Sequence, residues 1–269
     1  MTIKYLCREP TLANMAYQKG DIKLEGQLGD LTFYKRNGAH LARAKRGVSA
    51  TRIAKDPKFA RTRENNTEFG RASAIGKLIR QSLHPILPLF HEGTMQTRLN
   101  KRILQVIKND GVNPRGQRDL LAENLHLLTG FSFNKDSAWK DVYYAPTLCQ
   151  LNTSTGKLQL FLPSYWGPSV LNPPKPDGDG RISGARFTVA AISLDLEAEI
   201  RSSVYEHSPI LPTAGTLPDQ LFELDIERPD LPLIALTGLV FFRSVGEYDV
   251  PVEKPMQNAL DIIDVFCSV

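Results

Sequence analysis

The sequence predicts an α+β protein: a basic N-terminal β-hairpin arm and short helices, followed by an antiparallel β-sandwich or partly closed barrel. Three observations carry that prediction. An Asn-Gly dipeptide joins two strand-like runs near the N-terminus. Apolar residues recur at three- and four-residue spacing through the middle of the chain. From Phe131 onward, short runs of strand-forming residues alternate with Pro/Gly-rich turns. The implied segments are 1–63 (extended basic arm with the hairpin), 64–130 (helical) and 131–269 (antiparallel strands).

The stretch DIKLEGQLGDLTFYKRNGAHLARAKRGV reads as a short strand and then a hairpin over residues 31–36 and 39–46. Asn37-Gly38 is the dipeptide that best tolerates the positive φ angles of a two-residue turn. Leu41 and its flanking alanines give the second strand a weak apolar face, and Arg43 and Lys45 project together on one side. A lightly hydrophobic, cationic hairpin is a poor core element and reads as an arm lying on another surface. A charged edge is also an ordinary protection against aggregation.

Three helices follow. Asn65 with Glu68 three residues later resembles a capping box, and Phe69, Ala72, Gly76, Ile79 and Leu83 then form one apolar stripe that Pro85 and Pro88 terminate. Gly70 and Gly76 each cost about 1 kcal/mol relative to Ala inside a helix, so close packing against a neighbour is the natural compensation. A second helix is expected over about residues 94–109, with Met95, Leu99, Ile103 and Val106 inward. A third, about 114–128, has Asn113 as cap, Pro114 at its first position and Gly130 beyond its end. The strand readings are VYYAPTLCQL, KLQLFLP, ARFTVAAISLDLEAEI, SVYEHSPIL, QLFELDIE, LIALTGLVFFRSV and ALDIIDVFCSV.

Composition bounds the function. At 42% hydrophobic and 23% charged the chain falls in the range of soluble globular proteins. No run approaches the roughly 18 to 20 apolar residues of a membrane-spanning helix. Arg8, Glu9 and Pro10 interrupt the N-terminus before an apolar signal region forms, so synthesis in the cytoplasm without a signal peptide is expected. Three dispersed cysteines, Cys7, Cys149 and Cys267, argue against a disulfide framework. The net charge of +4 hides a division: residues 1–140 hold 25 Lys+Arg and 12 Asp+Glu, a net +13, and the remainder is −9. Asymmetry of this size bears on partners rather than on fold.

No motif specifies a reaction. Asp177 and Asp179 in PDGDGRISG hint at calcium, but the further ligands of an EF-hand loop are absent and a solvated turn is the plainer reading. Asp195, Glu197 and Glu199 alternate along a predicted strand as a solvated acidic face or one that meets a cationic partner. The histidines His40, His84, His91, His126 and His207 have no metal-binding spacing, and GVNPRGQRD lacks the Gly-Lys-Ser/Thr ending of a phosphate loop. A non-enzymatic protein with no cofactor and no metal is therefore expected. Residues 33–83 carry 13 Lys+Arg and 3 Asp+Glu, a composition suited to phosphates, with Phe33, Tyr34, Phe59 and Phe69 as aromatic neighbours. Trp139, Tyr143, Tyr144, Tyr165 and Trp166 offer a sugar platform on a carbohydrate-binding or hydrolytic β-sandwich, although core packing explains such aromatics equally well.

At residues 26–83 the runs GQLGDLTFYKRNGAHLAR, KRGVS and DPKFARTRENNTEFGRA resemble a widespread family of functionally uncharacterised bacterial proteins. The run LTGLVFFRSVGEYDVPVEKPMQNALDIIDV is similar to that family's closing strands. The resemblance brings no activity and no catalytic residues with it, which accords with a non-catalytic role.

The expectation that joins these features is self-assembly into a filament, tube, sheath or virion-like particle. The sequence leaves its final location open, an extracellular or virion-like assembly being one destination this allows. The donor side is Arg43, Lys45 and Arg46 on the arm, with Arg61, Arg63 and Arg71 beyond it. Phe33 and Tyr34 are the hydrophobic anchors. The acceptors are Asp195, Glu197, Glu199, Glu223, Asp225 and Glu227. The alternative partner is nucleic acid, bound through residues 33–83.

Overall fold

The computed structural model describes residues 15–44, 48–90, 92–175, 182–195, 200–252 and 258–267. Backbone contacts divide the chain into two compact units, Met1–Arg61 and Thr62–Val269.

The N-terminal unit contains a four-stranded antiparallel sheet. Strands β1 (Met15–Tyr17), β2 (Gly26–Leu28), β3 (Leu31–Arg36) and β4 (Ala39–Ala44) lie in the order β1-β4-β3-β2. Asn37 (φ 49°) and Gly38 (φ 79°) form the expected turn, with Arg36 paired to Ala39. The link from β1 to β2 is held by Gln18, whose amide donates to the Leu24 and Leu41 carbonyls and accepts from the Leu24 N–H. A short helix, α1 (Ala50–Lys55), begins at Ser49, whose hydroxyl accepts from the Arg52 N–H.

The capping expectation at Asn65 is corrected. The long helix α2 runs over Ala60–Ser82, so Asn65 and Glu68 lie inside it. The chain enters through a 3-10 turn at Pro57–Phe59, capped by Asp56, whose Oδ1 accepts from the Lys58 N–H. Asp56-Pro57 supplies the cap and the preset φ nine residues earlier, which leaves Asn65 no free helix end to serve. Asn65 instead accepts from Arg115 at 2.9 Å. Glu68 is fully buried: its Oε1 accepts from the Gly116 N–H at 2.8 Å and stands 3.1 Å from Arg118 Nε, fastening α2 to the loop before residue 120. Of the predicted stripe, Ala72, Gly76, Ile79 and Leu83 are buried and Phe69 is half exposed.

Helix α3 (Met95–Lys108) has the expected bounds to within a residue, with Met95, Leu99, Ile103 and Val106 inward. Gly76 is its close neighbour, since a Cβ there would collide with Asn100 Oδ1 and press on Ile103 Cδ1 at 3.4 Å. Gly70 has open space around it and no such reason. The expected third helix reduces to a 3-10 helix, Ala122–Leu128. The residues before it fold around Asp110, whose carboxylate accepts from the Val112, Asn113 and Asp119 N–H groups and from the Asn113 side chain. A carboxylate that collects these donors fixes a loop, so Asn113 is a donor to Asp110 rather than a helix cap.

The remaining elements are α4 (Trp139–Val142), β5 (Leu148–Asn152), β6 (Lys157–Leu162), β7 (Tyr165–Trp166), α5 (Gly167–Val170), β8 (Ile182–Asp195), β9 (Ile200–His207), β10 (Leu211–Pro212), β11 (Thr216–Leu217), β12 (Gln220–Asp225), β13 (Leu233–Val245), β14 (Tyr248–Pro251) and β15 (Ala259–Phe266). The strand read at VYYAPTLCQL begins only at Leu148. Val142 ends α4, and Tyr143 makes an isolated bridge to Leu171. Strands β8 and β13 pair along most of their lengths; β9 and β10 flank β8, and β14 and β15 flank β13, making a six-stranded antiparallel sheet.

Each face of this sheet carries a core. On one, Ile234, Leu236, Val240 and Phe242 of β13 meet α2, α3 and the 3-10 segments. On the other, Leu233, Ala235, Leu239 and Phe241 meet α4, α5 and the three-stranded sheet β12-β6-β5. The α+β class with a hairpin followed by antiparallel sheets is thus the observed one, and the strand region is a sandwich with a helical layer on its larger sheet. Double coverage explains why LIALTGLVFF reads as a nearly continuous apolar run, whereas β6 and β12 alternate because only one of their faces is packed. Gly238 has close neighbours on two sides: a Cβ there would lie 2.8 Å from the Ala259 carbonyl of the adjacent strand β15 and 3.1 Å from the Phe90 ring of the helical layer.

Candidate functional site

Adjacent strand residues face opposite ways and directly paired residues share a face, so the N-terminal sheet divides its predicted anchors. Phe33 lies with Ala16, Leu28, Leu31, Ala42 and Ala44 on one face. Tyr34 lies on the other, in a cross-strand row with Leu41 and Tyr17, beside Arg36 and Arg43. The Arg43 guanidinium sits 5.6 Å from the centre of the Tyr34 ring, a cation–π contact that presents charge and aromatic surface together. Among the described residues from 16 to 67 none is buried, and Tyr17 is 70% exposed. Lys45 and Arg46 lie outside the described residues.

The other predicted cations are less available. Arg71 donates to the Arg118 carbonyl at 2.6 Å and stands 4.0 Å from Asp119, which makes it a fastener of its own fold. Arg61 and Arg63 have intramolecular partners as well.

On the acidic side, Glu223 and Asp225 point outward from β12. Glu223 accepts from Gln159 at 2.6 Å, and Asp225 lies 3.8 Å from Lys157. Glu227 accepts from the Ser202 hydroxyl at 2.8 Å. Asp195, at the end of β8, has a partner and contributes to the field that raises the Arg228 pKa after its bonded partner Asp230. Glu197 and Glu199 lie outside the described residues, as do Asp177 and Asp179. Sequence reasoning missed the apolar row beside these acids: Leu148, Phe161 and Leu221 pair across the outer face of β5-β6-β12, with both leucines more than half exposed. Its only sequence signal is a leucine at an outward position in two alternating strands. The outer face therefore holds an apolar row, a row of two amides and a carboxylate (Gln150, Gln159, Glu223) and a row of one amide and two opposite charges (Asn152, Lys157, Asp225).

The five aromatics proposed as a sugar platform do not form one. Trp139 and Tyr143 are buried in the second core, ring centres 4.9 Å apart, and both contact Phe187. Burial and the neighbouring Tyr165 push the Tyr143 phenol up to about 12. Tyr144, Tyr165 and Trp166 are exposed. Cys149 and Cys267 are free thiols, and burial pushes the Cys149 thiol up to about 12. Among the described residues no three His, Cys, Asp or Glu side chains converge to hold a metal ion, and no helix is long and apolar enough to cross a membrane.

Comparison with family models, with curated proteins and with solved structures finds no match to this chain.

Proposed function

We propose that this protein is a non-enzymatic structural subunit that assembles with copies of itself into a filament, tube, sheath or virion-like particle. In this reading the Tyr34 face of the N-terminal sheet in one copy docks on the outer face of β5-β6-β12 in the next. The observation that carries it is the unburied N-terminal sheet: four strands with apolar side chains on both faces and, among the described residues 16–44, none buried. An isolated sheet of this kind gains little by folding unless a second surface covers it. The two faces are complementary, with Tyr17, Tyr34, Leu41, Arg36 and Arg43 on one and Leu148, Phe161, Leu221, Glu223 and Asp225 on the other. Different patches on one protomer make a heterologous contact, which closes a ring or propagates a helix.

Electron microscopy and light scattering of the purified protein at low and high salt test the proposal. Ordered particles are expected at low salt. Arg36→Glu with Arg43→Glu should dissolve them, and Glu223→Lys with Asp225→Lys in the same chain should restore them. Strictly monomeric protein in both salts at high concentration would overturn the reading.

A further inference from the structure

The body contains a cleft of about 450 Å³ between the C-terminal half of α2 and the start of α3, within the size range of small-molecule sites. Its wall is cationic and polar. Lys77, Arg80, Gln81 and His84 follow at helical spacing, so one side of α2 and the turn after it supply two permanent positive charges and an imidazole. Its floor is apolar, with buried Leu87 and Met95 beside Pro88.

Among the described lining residues the one carboxylate is already committed. Glu92 accepts from the Thr94 N–H and hydroxyl and lies 2.8 Å from Arg98 Nε. Burial pushes its carboxyl up, but these hydrogen bonds outweigh burial and hold it below the usual range. Glu92 therefore balances Arg98 and leaves the opposite wall positive. No ion pair is formed by Lys77, Arg80 or His84 among the described residues. Arg80 also has Nη1 shut away from water without an acceptor; Asn100 Oδ1, across Gly76, is outside bonding geometry and is itself unpaired. Burial lowers the Arg80 pKa. An unbalanced, partly desolvated guanidinium is costly unless an anion meets it.

We infer that this cleft binds a small oxyanion carried on an apolar body, with Lys77 and Arg80 on the anion and Leu87 and Met95 against the apolar part. The site is independent of the assembly proposed above. Titration calorimetry of the full chain with hexyl phosphate, inorganic phosphate and hexanol tests it, because the three probes separate charge from apolar contact. Hexyl phosphate should bind at least tenfold more tightly than either fragment. Lys77→Gln and Arg80→Gln should each weaken it about tenfold, whereas Lys108→Gln, a cation outside the cleft, should leave it unchanged. Lys77 is exposed, so its substitution reads the site without disturbing the fold. No saturable binding of hexyl phosphate, or binding indifferent to Lys77→Gln, would overturn the inference.

Discussion

The N-terminal sheet and the six-stranded sheet of the body are both antiparallel, and both place apolar side chains on two faces. Only the second buries them. In the body, β13 has ten consecutive buried residues because helices cover one face and β5-β6-β12 the other. In the N-terminal sheet, Phe33 and Tyr34 sit back to back on opposite faces and neither is buried. The same two-sided pattern is thus a finished core in one place and an open surface in the other. Apolar pattern shows which residues want burial; it does not say whether the partner lies in the same chain.

The largest expected effect sharpens that contrast directly. Phe187→Ala empties a fully enclosed position beside Trp139 and Tyr143 and should cost about 3–5 kcal/mol in denaturant unfolding. Phe33→Ala should change the same measurement by less than about 1 kcal/mol. Equal costs would break the distinction between the two sheets.

The second effect concerns what burial costs the body. Asp261 is 7% exposed, and its Oδ1 has no hydrogen-bond partner. Burial pushes its carboxyl up to about 6, against hydrogen bonds from Ser132 and the Trp139 backbone. Between the usual carboxylate range and that value the folded chain keeps a proton that the unfolded chain has lost. Stability therefore falls as pH rises through this window and levels off above it. Asp261→Asn should abolish this fall and gain up to about 3 kcal/mol at pH 8, with little difference near pH 4. Thermal unfolding across pH 4–8 reads this out, and parallel profiles for the two proteins would exclude a buried, raised carboxyl.

The smallest effect repeats the contrast inside one helix. Gly76→Ala drives a methyl into Asn100 and should destabilise by about 1–3 kcal/mol despite the better helix propensity of alanine. Gly70→Ala meets open space and should stabilise by up to about 1 kcal/mol. Shifts of the same sign in thermal melts would mean that the interhelical contact does not control this position.

Local chemistry made much of the fold legible. Asn37-Gly38 announced its hairpin, the apolar stripe of α3 its helix, and LIALTGLVFFRSV its strand to the residue. Two of the failures are polar residues that read as helix caps until another side chain or loop claims them, one across some fifty residues and one within a single tight loop. Glu68 belongs to Arg118 and Gly116, and Asn113 to Asp110. The candidate site was legible in part. Arg43 and Tyr34 do combine on one face and Glu223 and Asp225 on another, whereas Arg71 is spent on Arg118 and Asp119, and Phe33 faces away from Tyr34.

By itself the sequence determined the division of charge, the hairpin turn and the alternation of the strands, because these depend on residue identity and nearest-neighbour geometry. Tertiary structure alone decided which charges are spent within the fold and which of two similar apolar sheets becomes a core. It also brought Lys77 and Arg80 over the Leu87–Met95 floor. Pairing and burial depend on which surfaces meet across tens of residues, and no local pattern encodes that distance.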